Sequence, residues 1–209
     1  ANGVNRMSIG VQSFNTEVRQ MVGRLDTKET VLERLAALKA YGQCSVVIDL
    51  IYGLPGQTME VWEQDLADLV ISGVDGADLY QLNVFDGSDL NKDIANGKVP
   101  AAATTAMQGD MFKFGRKYLN ERSYRRLSAA HWSANNRERS LYNILAKAGV
   151  PMFPFGSGAG GNVDGYGMML HRALKPYEDM VIRGEKPFMA LMKQSELQPI
   201  VNQVVSQLE

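Results

Sequence analysis

The sequence predicts an α/β protein built on a parallel sheet, either open or closed into a barrel. Three observations predict it. Apolar runs of strand length alternate with amphipathic stretches of helix length over the first 85 residues. The runs are rich in Val, Ile and Leu, as strands covered on both faces must be. The composition, 45% hydrophobic and 22% charged in 209 residues, is that of a globular chain able to bury a sizeable core.

The elements follow in order. "NRMSIGVQSF" (residues 5–14) reads as a strand and "TKETVLERLAALKAYG" (27–42) as a helix stopped by Gly42. "SVVIDLIYG" (45–53) is a second strand, and "MEVWEQDLADLVISG" (59–73) a second helix with Thr58 as its N-cap. "ADLYQLNVF" (77–85) is a third strand. Strand, helix, strand, helix, strand implies right-handed crossovers. Beyond Gly87 the pattern changes. "AAATTAMQGDMFKFGRKYLNER" and "NNRERSLYNILAKAG" read as helices with "YRRLSAAHW" as a short strand between them. "GYGMMLHRALKPYEDMVIRGE" reads as a further helix, interrupted near Pro176. Two regions result: 1–90, the βαβαβ portion, and 91–209, mostly helical with a Gly-rich loop.

The strands carry the first functional signal. Side chains alternate along a strand, so each run divides into two faces. Ser8, Gly10 and Gln12 oppose Met7, Ile9 and Val11; Asp49 lies between Val47 and Ile51, opposite Val46, Ile48 and Leu50; Gln81 and Asn83 oppose Tyr80, Leu82 and Val84. A carboxylate inside an apolar strand is costly unless it is hydrogen-bonded or holds a ligand. A polar lumen accounts for these groups, and so does an open sheet in which they pair with one another. Ligand sites in either architecture gather at the carboxyl ends of the strands, where Gln12 and Asp49 lie.

Charge and cysteine content exclude several classes. Lys+Arg 22 against Asp+Glu 23 gives a net charge of -1, with no global pull toward nucleic acid or an anionic membrane. The basic stretch "RKYLNERSYRR" accompanies no nucleic-acid-binding module. One cysteine, Cys44, excludes an internal disulfide framework and any multi-thiolate metal or iron–sulfur site made by this chain alone, and fits a reduced, cytoplasmic setting. No apolar run reaches membrane-spanning length and no leader pattern is seen, so membrane insertion is not expected. "GSGAGG" (156–161) satisfies Gly-x-Gly-x-x-Gly, but without a βαβ unit and a later acidic residue it does not make a dinucleotide site. There is no phosphate-cradling Gly-x4-Gly-Lys-Ser/Thr.

"GVNRMSIGVQSFNTEVRQMVGR" followed by "IDLIYGLPGQT" resembles the radical S-adenosylmethionine enzymes of the oxygen-independent coproporphyrinogen dehydrogenase class. The spacing is specific: Gln12, Arg24 twelve positions on, and Asp49 twenty-five beyond. The resemblance implies that the chain is the C-terminal part of a partial TIM-like barrel with a mostly helical extension, in which Gln12, Arg24, Asp49 and Ile51 bind S-adenosylmethionine. Asp49 would accept from the ribose hydroxyls with Gln12 in support, and Arg24 would face the methionine carboxylate or the ribose. An acceptor-only carboxylate suits a diol, and a guanidinium fork suits a carboxylate. "LSAAHWSANNRERSLYN" and "PFGSGAGGNVDGYGMM" resemble the branch that degrades haem anaerobically by methyl transfer. That resemblance implies S-adenosylmethionine cleaved at a [4Fe–4S] cluster, an electron donor such as a flavodoxin or other reductase, and haem opened to a linear tetrapyrrole with release of iron. His131, Arg137, Arg139, Gly158 and Gly160 are then candidate substrate contacts: the arginines for propionates, the glycines for close backbone approach, His131 as the histidine beside Trp132.

The sequence departs from the family at the cluster. The Cys-x3-Cys-x2-Cys loop is absent, and the chain opens without methionine almost directly into a strand. The sequence therefore reads as a cluster-less piece of a longer enzyme, inactive alone, whose half-barrel exposes two strand edges and could dimerise through them. A coproporphyrinogen-type oxidative decarboxylase and a non-catalytic haem-binding or haem-delivery protein are the alternatives on the same fold.

Overall fold

A computed structural model describes residues 3–208. They form two compact units that divide between Arg139 and Ser140. In the first, strands β1 (Arg6–Gln12), β2 (Ser45–Tyr52) and β3 (Gly76–Gln81) are parallel. Between β1 and β2 run α1 (Thr16–Met21) and α2 (Lys28–Ala40); α3 (Met59–Ser72) connects β2 to β3. Helices α4 (Asp89–Ala95) and α5 (Thr105–Asn120) follow, then a hairpin of β4 (Arg125–Arg126) and β5 (His131–Ser133). β5 is antiparallel to β3, giving the sheet order β1-β2-β3-β5-β4 with β1 and β4 at its edges. The unit holding the parallel strands thus extends past residue 90, because α5 packs on α3, β2 and β3 and the hairpin completes the sheet.

The local signals work as the sequence suggests. Thr27, Thr58, Ser88 and Thr104 each accept a helix N-terminal N–H with their hydroxyl. Gly73 ends α3 in the left-handed region at φ 62°, where a side chain would strain. The apolar face of the sheet, with Val11, Val46, Ile48, Leu50, Ala77, Leu79 and Trp132, packs on Val31, Leu35, Trp62, Leu66, Leu69, Met111 and Leu119 of the helices. Each fully buried side chain of this kind contributes about 1.5–3 kcal/mol. Trp62 is fully buried, and its indole N–H donates to the Met111 carbonyl at 2.9 Å.

Three expectations need correction. "YRRLSAAHW" is two strands and not one, since residues 127–130 turn the chain: the Ser128 hydroxyl accepts from the His131 N–H, and the Leu127 N–H donates to the His131 carbonyl. The helix expected from residue 135 starts only at α6 (Leu141–Lys147), because Glu138 is drawn into the core and Ser140 sits at φ 55°. The stretch from Gly165 is not one helix but opens with a strand. The second unit carries an antiparallel sheet of β6 (Gly160–Val163), β7 (Tyr166–Leu170) and β8 (Phe188–Lys193). Asp164 and Gly165, both at positive φ (50° and 76°), make the tight turn between β6 and β7. That Asp-Gly pair is a hairpin signal in the sequence, and it outweighs the helical look of the following residues. α7 (Leu174–Ile182) begins after the strand; Pro176 falls in its first turn, where proline is tolerated, so it interrupts nothing. α8 (Gln198–Leu208) follows β8.

Candidate functional site

The face of the first sheet opposite the core is polar and continuous. Strand pairing sets Gly10 beside Asp49, Asp49 beside Asp78, and Asp78 beside His131, one row across four strands. Toward the carboxyl ends, Ile51 pairs with Tyr80. The third strand is therefore phased one residue differently from the sequence reading: Asp78 and Tyr80 share the face of Asp49, while Gln81 turns to α5 and donates to the Gln108 side chain at 2.7 Å. A slip of one residue exchanges the faces of a strand, and only the register decides it.

Gln12 reaches this face through a bulge. Pairing passes from Gly10–Asp49 to Gln12–Leu50 with Val11 as the extra residue, and Gln12 takes a left-handed φ of 72°. Arg19, 4% exposed, compensates the disturbed backbone: its guanidinium donates to the Val11 carbonyl, to the Ser13 carbonyl at 3.0 Å and to the Asp26 carbonyl at 2.9 Å. The Gln12 and Arg24 side chains meet over Gly10. A Cβ there would lie 2.6 Å from Gln12 Nε2 and 3.4 Å from an Arg24 terminal nitrogen. Gln12, Arg24 and Asp49 thus converge around Gly10, and Arg24 also lines a cavity of about 480 Å³ beside β1 and α2. On the nucleoside role that the resemblance implies, Gly10→Ala is expected to displace Gln12 and Arg24 and weaken binding by about tenfold, while the urea midpoint changes little, because the clash is with flexible ends. Calorimetric titration with S-adenosylhomocysteine beside a urea melt checks both halves.

Asp49 is half-buried and accepts one internal hydrogen bond, from the Ser8 hydroxyl at 3.1 Å. Burial pushes its carboxyl above the usual carboxylate range; the Ser8 bond works against this, and neighbouring Asp78 reinforces it. One internal donor leaves most of its lone pairs for a ligand.

The loops that carry these residues are tied by a knot the sequence reading missed. Asp65 of α3, 1% exposed, accepts from the Ser13 hydroxyl at 2.8 Å, the Phe14 N–H at 2.7 Å, the Asn15 N–H at 3.3 Å and Gln57 Nε2 at 3.0 Å. Gln57 also accepts from the Gly53 and Leu54 N–H groups and donates to the Ile51 carbonyl. The "GLPGQT" stretch is therefore locked to the end of β2, and "SFN" to the end of β1. An acid between apolar helix positions was the available signal.

The remaining candidates lie apart from this cluster or are already engaged. His131 is 1% exposed, with Nδ1 2.8 Å from Asp78 and Nε2 3.2 Å from Glu138, so neither ring nitrogen is open to a haem. Arg137 donates to the Gly42 and Cys44 carbonyls at 2.7 and 2.9 Å, bracing the amino end of β2 rather than the carboxyl ends where Gln12 and Ile51 sit. Arg139 is exposed where the first unit ends. Gly158 and Gly160 belong to the second unit: Gly158 (φ 76°) donates its N–H to the His171 carbonyl, and Gly160 opens β6. The Gly-rich loop leads into a hairpin strand and not a helix, so the dinucleotide reading fails for that reason.

For a bound S-adenosylmethionine the residues fit: an under-satisfied carboxylate, an amide and a guanidinium surround one glycine. For an iron–sulfur cluster they do not. Cys44 is a single buried thiol, and among the described residues no group of three His, Cys, Asp or Glu side chains is placed to hold a metal.

A twisted sheet with parallel β1, β2 and β3, helices on one face and a ligand-ready polar row on the other defines the class. The chain belongs to the radical S-adenosylmethionine superfamily, whose profile matches residues 1–69. More particularly, it is 39% identical to anaerobilin synthase of Escherichia coli O157:H7 over 93% of this chain and 43% of that protein. It is 30% identical to the heme chaperone HemW of Lactococcus lactis over 78% of this chain and 43% of the relative. The solved structure of E. coli coproporphyrinogen III oxidase (HemN), a radical SAM enzyme, superposes with a TM-score of 0.76 at 21% identity, covering 99% of this chain and 50% of that one. The fold is thus the partial TIM-like radical SAM barrel with its C-terminal extension, and the chain spans half or less of the length of these relatives.

Proposed function

We propose that the chain is part of a radical S-adenosylmethionine methyltransferase that opens haem to a linear tetrapyrrole and releases iron under anaerobic conditions. The observation that carries this reading is the 39% identity to anaerobilin synthase across 93% of the chain, together with the row of residues around Gly10 and Asp49. In this reading Asp49 accepts from both ribose hydroxyls, Gln12 supports them, Arg24 pairs with the methionine carboxylate and Ile51 packs against the nucleoside. S-adenosylmethionine, cleaved by one electron from a flavodoxin-like or other reductase, supplies the radical and methyl chemistry. The cluster ligands lie outside these 209 residues, which alone turn nothing over. Among the described residues no helix is long and apolar enough to cross a membrane, and a cytoplasmic setting is part of the proposal.

Similarity to the heme chaperone HemW favours a second reading, in which haem is carried and released unchanged. One assay separates the two. The full-length protein, reconstituted and reduced without oxygen, is incubated with haem and S-adenosylmethionine, and the products are weighed by mass spectrometry. Methylated open-chain tetrapyrrole with free iron supports the methyltransferase. Intact haem bound stoichiometrically supports the carrier, and loss of carboxyl groups from a porphyrinogen supports a coproporphyrinogen-type oxidase.

A further inference from the structure

His131 is a deeply buried titratable group at the end of the polar row, 1% exposed, and the proposed chemistry gives it no role. Both ring nitrogens face carboxylate oxygens, Nδ1 that of Asp78 on β3 and Nε2 that of Glu138 after β5. A neutral imidazole would turn a lone pair toward one of them; with an N–H at each nitrogen, both contacts are hydrogen bonds. The geometry therefore describes an imidazolium. Glu138, 1% exposed, is balanced from its other side by Arg6 Nε at 2.9 Å and the Ser45 hydroxyl at 3.0 Å.

Asp78 is the pivotal neighbour. It lies beside Asp49 on the adjacent parallel strand and on the same face, so two carboxylates stand side by side at strand spacing. Uncompensated, each disfavours ionisation of the other. The groups facing the pair are Arg6 and Ser8 from β1, Tyr80 from β3 and His131 from β5. Among the described residues, the cation bonded to Asp78 is His131, at 2.8 Å.

We infer that His131 is a positioning residue for the nucleoside site: it binds and neutralises Asp78, and so keeps the adjacent Asp49 ionised and free to accept a ribose diol. The direction of the Asp49 titration agrees: beside burial, which raises it most, Asp78 raises it, and Arg6 and then His131 lower it. The inference rests on Asp49 being the ribose ligand.

The test follows the Asp49 carboxyl carbon by NMR from pH 3 to 9 without ligand, in the wild type, in His131→Gln and in Asp78→Asn/His131→Gln. His131→Gln is expected to raise the Asp49 midpoint by about one pH unit. The double variant is expected to return it to or below the wild-type value, because no uncompensated carboxylate remains. In the wild type, Asp49 should also show a second, smaller inflection at the pH where the His131 ring titrates; this decides the matter if His131→Gln does not fold. An unmoved midpoint, or a shift that Asp78→Asn fails to reverse, overturns the positioning role. S-adenosylhomocysteine titration separates the underlying reading. If Asp49→Asn leaves affinity unchanged, the ribose assignment fails whatever the carboxyl shifts show; if it abolishes binding while His131→Gln leaves the Asp49 midpoint in place, only the positioning role fails.

Discussion

Asp49→Asn will weaken S-adenosylhomocysteine binding by about 100-fold, since hydrogen bonds to a charged acceptor contribute about 1.5–3 kcal/mol each and the amide keeps one acceptor of two. The same change will not lower the thermal midpoint. Burial raises the Asp49 carboxyl in the fold, so the residue favours folding below the ordinary carboxylate pKa, and that contribution is gone once pH has risen through its folded value. At neutral pH the ionised group is a net cost that the amide removes. In the proposed site the ribose hydroxyls meet the ionised form, so wild-type affinity is expected to fall as pH drops through the folded pKa. Calorimetry from pH 4 to 8 beside differential scanning measures both effects. Unchanged affinity would remove Asp49 from the site, and a large loss of stability would make it a structural residue.

Asp65→Asn will have the largest effect on stability, about 2–4 kcal/mol by urea unfolding at pH 7. Both carboxylate oxygens accept from donors: Ser13, Phe14 and Asn15 on one, Ser13 and Gln57 on the other. Wherever the amide nitrogen points it meets a donor, the Phe14 and Asn15 N–H groups on one side and Gln57 Nε2 on the other, so one set of donors loses its carboxylate acceptor. The pH dependence works the other way. Burial pushes the Asp65 carboxyl up to about 6, so its contribution is fully present below about 4 and is lost as pH rises to about 6, a change of up to about 3 kcal/mol. Asp65→Asn should therefore lack this fall between pH 4 and 6, which subtraction of the two stability profiles isolates. Parallel profiles would show that the carboxylate is ionised without penalty.

The parallel first half was readable because its signals are local. Thr27 and Thr58 cap, Gly42 and Gly73 stop, and the apolar runs of β1 and β2 need no distant partner to be recognised. Asp49 was legible for the same reason, as an acid inside an apolar run. The second half was not: 166–170 carries apolar residues compatible with either period, and the strand is fixed by pairing with β6 and β8 as much as by the Asp164–Gly165 turn. Arg137 illustrates the limit for function. Its residue type suits a carboxylate, yet the fold spends it on two backbone carbonyls at the amino end of β2.

By itself the sequence determined the α/β class and the order β1, α2, β2, α3, β3, though not α1, because residue patterning is written along the chain; it set Gln12 and Asp49 toward the strand ends, and the family resemblance added Arg24. Tertiary structure alone decided that these three meet over Gly10, that Asp78 and not Gln81 completes their row, that Asp65 ties the loops beneath them, and that His131 is clamped between two carboxylates. The polar row depends on strand register, where a one-residue slip, invisible in composition, would exchange the faces, and the Asp65 and His131 clusters depend on contacts that join separate elements.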